Sequence, residues 1–258
     1  MTLASLAARA LAPLALSAAV ALSAAAPARA LDFKNMTPDE KAAFGEEVRA
    51  YLLDHPEVLV EAIDRLKAKQ AQQQVQNDAN LVKANAKAIF EDPNSWVGGN
   101  PNGDITLVEF MDYRCGYCHK AYPEVAQLLK TDGNIRFIVK EFPILSDQSV
   151  LGSRFAIAVL QLNGPDAYAK AHDALMKMRA NITDASLAAL AGKLGLDAEA
   201  IKARMDSPEV TKVIADNHAL AKRLGINGTP TFVLGDQMLR GYVPLAQMTE
   251  IVKEVRAN

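Results

Sequence analysis

The two cysteines of this chain lie three residues apart, in the segment Cys115-Gly116-Tyr117-Cys118, and the rest of the 258 residues contains no other cysteine. An apolar run at residues 105–111 comes just before the pair, and apolar side chains at helical spacing follow it. This order predicts a strand, a tight turn and a helix, with the cysteines at the N-terminus of the helix. The spacing favours a dithiol that opens and closes.

The first thirty residues have the pattern of a signal peptide. Arg9 precedes an uncharged Ala/Leu run at residues 10–26, and Ala28-Arg29-Ala30 is a small-x-small cleavage pattern. We therefore predict a signal peptide over residues 1–30 and a mature N-terminus at Leu31. The alternative is an uncleaved anchor, although the run is shorter than the ~20 apolar residues that a bilayer core requires. Export would place the protein in the periplasm, where disulfides persist.

Composition limits the remaining possibilities. About half of the residues are hydrophobic, which is enough for one good-sized core and a smaller appendage. The formal net charge is -2, and Lys and Arg are not clustered. Phosphate binding requires such clusters, so we expect no nucleic-acid partner.

The N-terminal arm reads as two helices. The segment Thr37-Pro38-Asp39-Glu40 is a capping-box signature for the first, and Asp54 caps a second that continues to about residue 90. Apolar residues at heptad spacing in the second helix lose their register in the Gln-rich segment 70–76. We predict an oligomerisation region at residues 31–69 and a helical linker at residues 70–91. The alternative is an arm that packs only on its own catalytic domain.

The remainder of the chain, residues 92–258, is predicted as one α/β domain. A strand at 105–111 and a second strand at 135–142 are parallel through a right-handed helical crossover. Only helical signals follow, at about residues 147–224, before a hairpin at 231–241 and a last helix at 244–255. This is a thioredoxin-like fold with an all-helical insertion.

The cysteine positions predict different roles for the two thiols. The positive end of the helix dipole favours the thiolate of Cys115, so we expect Cys115 to be the nucleophile. Cys118 lies one turn further along and should resolve the mixed disulfide. We assign Gly116 and Tyr117, between them, to substrate binding. A purely structural bridge would close a very small loop, and a metal site needs more than two sulfurs, so we assign no metal.

Two further sites support dithiol chemistry. Thr229-Pro230 directly precedes a strand, which fits a cis peptide bond, and the backbone of Thr229 would then pair with an extended substrate. Glu109 lies six residues before Cys115 at an inward-facing position of the first strand. A buried carboxyl there could exchange a proton with Cys118. The alternative is a solvated Glu109 at the sheet edge.

Three segments, at residues 108–118, 140–144 and 225–233, together resemble the DsbA family of exported thiol:disulfide oxidoreductases. The resemblance implies that Cys115 attacks, Cys118 resolves, Pro230 is the cis-proline and Glu109 is the acidic residue of the preceding strand. It implies no cofactor other than the redox-active disulfide itself. One departure is the pair Gly116-Tyr117, which stands where strongly oxidising members have Pro-His. A strongly oxidising potential is therefore not implied.

The arm, with its segment at residues 54–59, is similar to ScsC-like suppressor-of-copper-sensitivity proteins, whose oligomeric relatives act as disulfide isomerases. We therefore expect a periplasmic disulfide isomerase or reductase that acts on exported proteins with thiols or disulfides. It would form a homo-oligomer and depend on a membrane redox partner that the sequence does not name. The alternatives are a DsbA-like dithiol oxidase, a copper-binding or copper-tolerance protein, and a chaperone-like holder.

Overall fold

The computed structural model describes residues 33–257, and their contacts divide them into two units, one ending at Ala62 and the other beginning at Ile63. The predicted signal peptide and the cleavage site before Leu31 lie outside the described residues. Among the described residues, no helix is both long enough and apolar enough to cross a membrane.

The first unit contains helix α1, Pro38–Asp54, and the start of helix α2, Glu57–Ala84. The hydroxyl of Thr37 accepts the backbone N–H of Glu40 at 3.3 Å, and the Glu40 carboxylate accepts the backbone N–H of Thr37 at 2.8 Å. This reciprocal pair is the predicted capping box. Every residue of α1 is at least partly exposed, including Phe44, Val48 and Tyr51.

The second unit contains the rest of α2 and all later elements. The bounds along the chain are α1 Pro38–Asp54, α2 Glu57–Ala84, α3 Ala86–Phe90, β1 Trp96–Gly99, β2 Ile105–Met111, α4 Gly116–Asp132, β3 Ile135–Glu141, α5 Asp147–Asn163, α6 Pro165–Lys177, α7 Asp184–Lys193, α8 Ala198–Met205, α9 Pro208–Leu224, β4 Thr231–Leu234, β5 Gln237–Arg240 and α10 Leu245–Ala257. Helices α5 to α9 occupy the segment predicted as an all-helical insertion.

The strands of the described chain form one mixed sheet in the order β1-β3-β2-β4-β5. Strands β2 and β3 are parallel, as predicted, and every other neighbouring pair is antiparallel. Strand β1 was not predicted, because its four residues follow a turn-rich segment and end in two glycines. It pairs with β3 from Trp96 to Gly99 and forms one edge of the sheet.

Both faces of the sheet are covered, because β2 and β3 bury nearly all of their side chains. One face packs against α4, α5 and α6, and the other against α3, α9 and the end of α2. Val82 and Ile89 are buried in this second cluster. The predicted linker at residues 70–91 is helical, but its second half therefore packs into the core of the domain.

Helix α2 does not continue to residue 90, because the helical conformation is interrupted at Asn85. The Asn85 side-chain amide donates to the carbonyl oxygen of Leu81 at 2.9 Å. Asparagine side chains compete in this way with the backbone bonds of a helix. The short helix α3 then begins with Ala86.

Candidate active site

Cys115 is the N-cap residue of α4, directly after the loop that follows β2. Its Sγ lies 3.1 Å from the carbonyl oxygen of Thr229. Its backbone N–H donates to the Asp112 carbonyl oxygen at 3.1 Å, and its own carbonyl oxygen accepts the N–H of His119 at 3.0 Å. The sulfur is thus held at the helix N-terminus, where unpaired N–H groups favour an anion.

The two thiols differ strongly in acidity. The S–H of Cys118 is the largest influence that lowers the pKa of Cys115, and against the opposing effect of burial this pKa falls to about 5. Burial, and then the contact with Cys115, raise the pKa of the Cys118 thiol far above its ordinary range. Both cysteines are free thiols in this structure. At neutral pH the first is a thiolate and the second a neutral thiol.

The Thr229-Pro230 peptide bond is cis, as predicted. The Pro230 carbonyl oxygen accepts the N–H of Gly241 at 2.9 Å, which ties this turn to the end of β5. The buried hydroxyl of Thr229 has no hydrogen-bond partner among the described residues, so it is free to donate to the Cys115 thiolate, whose pKa the Thr229 side chain lowers. The turn therefore presents both a backbone carbonyl and a hydroxyl to the sulfur.

Glu109 is buried in β2, with 4% of its surface exposed, so the solvated alternative is wrong. Its Oε1 has no hydrogen-bond partner among residues 33–257. Burial, and then the negative charges of Cys115 and Glu141, together raise the pKa of Glu109 to about 8. A carboxyl in this state can hold a proton near neutral pH and release it slightly above.

The carboxylate of Asp112, which is fully buried, anchors the loop that carries Cys115. It accepts backbone N–H groups from Arg114 at 2.7 Å, from Ile144 at 2.8 Å and from Leu145 at 3.1 Å. Asp112 directly follows strand β2 in the chain. Its partners at residues 144–145 lie in a loop that only the fold brings close.

His119 and Arg114 tie the same loop to the helical insertion. The ring nitrogens of His119 lie 2.6 Å from the carbonyl oxygen of Met176 and 2.8 Å from that of Tyr113. The Arg114 guanidinium donates to the carbonyl oxygen of Ala180 at 3.3 Å. The end of α6 and the loop after it therefore support the redox motif.

The two residues between the cysteines are open to solvent. A Cβ placed on Gly116 would meet no atom within 4 Å, and Tyr117 exposes 62% of its surface. The Tyr117 ring stacks on Tyr242 at 6.4 Å between centroids, and the ammonium of Lys120 lies 4.0 Å from the centre of the Tyr242 ring. Tyr242 and Lys120 were not found from the sequence, which gave no signal that they meet beside Cys115.

In the described part of the chain, no group of three or more His, Cys, Asp or Glu side chains lies close enough to hold a metal ion.

Two family models match the chain. Residues 106–253 match the model described as DSBA-like thioredoxin domain. Residues 40–73 match the model described as copper resistance protein ScsC N-terminal domain. The first match contains both cysteines and the cis-proline, and the second contains most of the N-terminal arm.

Solved structures similar to this chain are thioredoxin-like or ScsC proteins. A thioredoxin-like oxidoreductase from Silicibacter pomeroyi DSS-3 is 41% identical, with 67% of this chain and 98% of that chain covered and a TM-score of 0.62. Proteus mirabilis ScsC in a transitional conformation is 27% identical, with 86% and 99% covered and a TM-score of 0.63. A periplasmic thioredoxin-like protein from Salmonella enterica serovar Typhimurium is 29% identical, with 67% and 96% covered and a TM-score of 0.59.

This chain matches only part of the length of its curated relatives. The Na(+)/H(+) antiporter NhaA 1 of Salinispora arenicola (strain CNS-205) is 28% identical over 162 residues, which are 63% of this chain and 25% of the antiporter. The antiporter NhaA of Herminiimonas arsenicoxydans is 26% identical over 161 residues, with the same 25% covered. The chain thus spans about a quarter of the length of the curated relatives it matches.

Proposed function

The chain belongs to the DSBA-like thioredoxin family of thiol-disulfide oxidoreductases, and we propose that it acts on exported proteins as a disulfide isomerase or reductase. The observation that carries this proposal is the pairing of a Cys115 thiolate with a buried, neutral Cys118 beside the cis Thr229-Pro230 turn. A thiolate is the nucleophile in disulfide exchange.

The reaction begins when the Cys115 thiolate attacks one sulfur of a substrate disulfide. A bond forms between Cys115 and that sulfur, the substrate disulfide breaks, and its second sulfur leaves as a thiolate. In isomerisation, a substrate thiolate attacks the mixed disulfide and releases Cys115. In reduction, Cys118 loses its proton, attacks the Cys115 sulfur and releases the reduced substrate.

Three neighbouring groups serve these steps. The backbone of Thr229 binds the substrate as an added strand, because its carbonyl oxygen lies beside the attacking sulfur. Gly116 and Tyr117 form the open surface on which the chain next to the substrate cysteine rests. Glu109 exchanges the proton of Cys118, which is consistent with its burial and raised pKa.

The N-terminal arm forms a homo-oligomer in this proposal. Support comes from large apolar side chains that stay about half exposed on α1 and α2, namely Phe44, Leu59, Ile63 and Leu66. Leu59, Ile63 and Leu66 form a row at spacings of four and three residues on α2, and exposed apolar groups in such a row are typical of an association surface. Several Cys115 thiolates around one substrate would favour isomerisation over simple oxidation.

The periplasm is the proposed location. The leader pattern at residues 1–30 supports export, and one similar structure is titled a periplasmic thioredoxin-like protein. An isomerase there must be kept reduced by a membrane partner, whereas an oxidase must be reoxidised by one. That partner is a reductase in the proposal.

A second candidate function is copper handling, which the match of residues 40–73 to a copper resistance protein domain favours. Thiolates are suitable ligands for Cu(I), and two subunits could together supply four sulfurs. Anaerobic Cu(I) titration with thiol counting tests it. Tight stoichiometric binding without dithiol exchange supports copper handling over the main proposal.

Direction is tested by two assays run side by side on the full mature chain. One follows refolding of a scrambled-disulfide substrate, and the other follows oxidation of the same substrate after reduction, with Cys115→Ser as the control in both. We expect the protein to accelerate refolding of the scrambled substrate more than oxidation of the reduced one, and Cys115→Ser to lose this activity. A protein that is active only in the second assay is an oxidase, which contradicts the proposed direction.

A further inference from the structure

Glu109 and Glu141 are buried carboxyls on neighbouring strands of the sheet. In the parallel register of β2 and β3, Glu109 pairs with Val139 and Met111 pairs with Glu141. Side chains alternate along a strand, so both carboxyls are on the same face, which is the face that α4 covers. The strand spacings place their Cα atoms roughly 8 Å apart. Only 4% of Glu109 and 3% of Glu141 are exposed.

The surroundings of Glu141 suit a carboxylate. Its Oε1 accepts the hydroxyls of Tyr113 at 2.8 Å and Tyr168 at 2.6 Å, and its Oε2 accepts the hydroxyl of Ser153 at 2.7 Å. All three donors are buried. An ionised carboxylate only accepts hydrogen bonds, so both oxygens are satisfied when Glu141 carries a negative charge.

His172 orients one of these donors, the hydroxyl of Tyr113. Its Nδ1 lies 2.9 Å from the hydroxyl oxygen of Tyr113. Burial lowers the pKa of His172 to about 4, so the ring is neutral at neutral pH, and Asp173 opposes that shift only partly. With the ring proton on Nδ1, His172 donates to Tyr113, and the Tyr113 proton points to Glu141.

Glu109 has the opposite surroundings. Its Oε1 lacks a partner among the described residues, and a buried carboxylate without partners is costly. The neutral acid is the form that this site tolerates. Two carboxyls whose environments differ in this way divide the roles of charge carrier and proton carrier.

The groups around Glu141 also set its charge state. Burial, with a smaller contribution from the charge of Asp112, raises the pKa of Glu141 to about 7 against the three hydroxyls that lower it. Tyr113 and Tyr168 keep their protons, because burial and then the Glu141 charge raise their pKa values well above 10. Among the described residues, the side-chain donors to the Glu141 carboxylate are the hydroxyls of Tyr113, Tyr168 and Ser153.

We propose that Glu141 is a positioning residue of the redox site: held as a carboxylate by hydroxyls of the motif loop and the helical insertion, it keeps on Glu109 the proton that Cys118 exchanges. This inference rests on the proposed function, in which Glu109 serves Cys118. It assigns to the insertion a part in the chemistry, because Ser153 lies on α5 and Tyr168 on α6.

When a substrate thiolate attacks the Cys115 sulfur of the oxidised protein, the bond between Cys115 and Cys118 breaks and its electron pair goes to the Cys118 sulfur. Glu109 gives its proton to that sulfur and becomes a carboxylate. The reverse step returns the proton to Glu109 as Cys118 closes the disulfide. The like charge of Glu141 favours the protonated state of Glu109 in both directions.

The test measures the titration of Glu109 in the full mature chain, by the carboxyl ¹³C shift of labelled glutamate and by the pH dependence of the single-turnover resolving step. We expect a midpoint near pH 8 for wild type. In Glu141→Gln it should fall by roughly one pH unit or more, the effect of losing a like charge at this distance. Glu141→Asp, which keeps the charge, should restore part of the shift.

Ser153→Ala is the second variant, because Glu141→Gln risks misfolding. Loss of one hydroxyl leaves Glu141 less ionised, so the Glu109 midpoint should fall by a smaller amount in the same direction. An unchanged midpoint in the folded variants overturns the inference, because a purely structural Glu141 changes stability alone. If the pH dependence persists in Glu109→Gln, the role proposed for Glu109 fails instead, and the two failures are distinguished.

Discussion

The Sγ of Cys115 lies 3.1 Å from the carbonyl oxygen of Thr229, although 114 residues separate the two in the chain. Strand β4, which begins just after Pro230, pairs directly with β2, which ends just before the motif loop. The contact therefore follows from sheet order rather than from any local sequence feature. It places the attacking sulfur of Cys115 beside the Thr229 backbone, where we propose that the substrate backbone binds.

The Cys115 thiol should titrate with a midpoint near pH 5 in the reduced protein. Thiolate absorbance at 240 nm between pH 3 and pH 10 measures it. Cys118→Ala removes the largest stabilising hydrogen bond and should raise the midpoint. A wild-type midpoint near the ordinary thiol value of 9.0 is incompatible with the proposed nucleophile.

Glu109→Gln should make the protein more stable at pH 7 than wild type. The folded pKa of about 8 exceeds the ordinary glutamate value of 4.5, so ionisation opposes folding and stability is lost as pH rises between these values. The gain should be on the order of 3 kcal/mol at pH 7 and close to zero at pH 4. Urea unfolding at both pH values measures it.

Glu250→Gln is the matched control for that experiment, because Glu250 is 66% exposed in its side chain and pairs with Lys253. It should change stability little at either pH. Equal behaviour of the two variants would mean that Glu109 is ionised at little cost in the folded protein.

The sequence predicted the elements that carry strong local signals. The strand at residues 105–111, the helix after Cys115, the insertion helices and the cis bond before Pro230 all agree with the structure. Each has a cap, a period or a proline that acts within a few residues. The thioredoxin-like class and the family resemblance follow from their order.

Features that depend on distant partners were not predicted. Strand β1 is stabilised by pairing with β3, some forty residues later, and by the packing of Trp96 on Tyr168 and His172. Glu141 stands at the end of a predicted strand, but its hydroxyl partners come from the motif loop, α5 and α6. Hydrophobic periodicity in the sequence does not indicate that these hydroxyls contact Glu141.

Asp112→Ala should destabilise the protein by about 2–4 kcal/mol, because it leaves three partly buried backbone N–H groups without their acceptor. Thermal unfolding of the reduced form measures the loss. Asp112→Asn keeps one acceptor oxygen and should lose less. An Asp112→Ala variant as stable as wild type would show that water or other groups satisfy this loop.

Leu59→Glu should lower the mass of the mature protein in solution if the arm associates through its apolar row. Leu59 is 49% exposed on α2, and a charge there would be buried at an interface. Gln72→Glu, at an exposed position of the same helix, is the control and should keep the wild-type mass. Light scattering measures both. A monomeric wild type contradicts the proposed oligomer.

A shortened chain must keep the end of α2 and all of α3 if the core of the domain is to stay complete. A chain that begins at residue 91 lacks Val82 and Ile89, which are buried in the core, and also the bond between Asp78 and Arg240. The substitution at Leu59 is therefore the cleaner test of association, since it leaves the catalytic domain complete.

The most direct measurement of dithiol exchange is trapping of a mixed disulfide, followed by intact mass. The reduced Cys118→Ser and Cys115→Ser variants are each mixed at pH 7 with a disulfide-bonded substrate protein. Exchange through Cys115 predicts a stable one-to-one adduct with Cys118→Ser and almost none with Cys115→Ser, whose remaining thiol is buried and protonated. Equal adduct formation by the two variants, or none by either, would contradict the account.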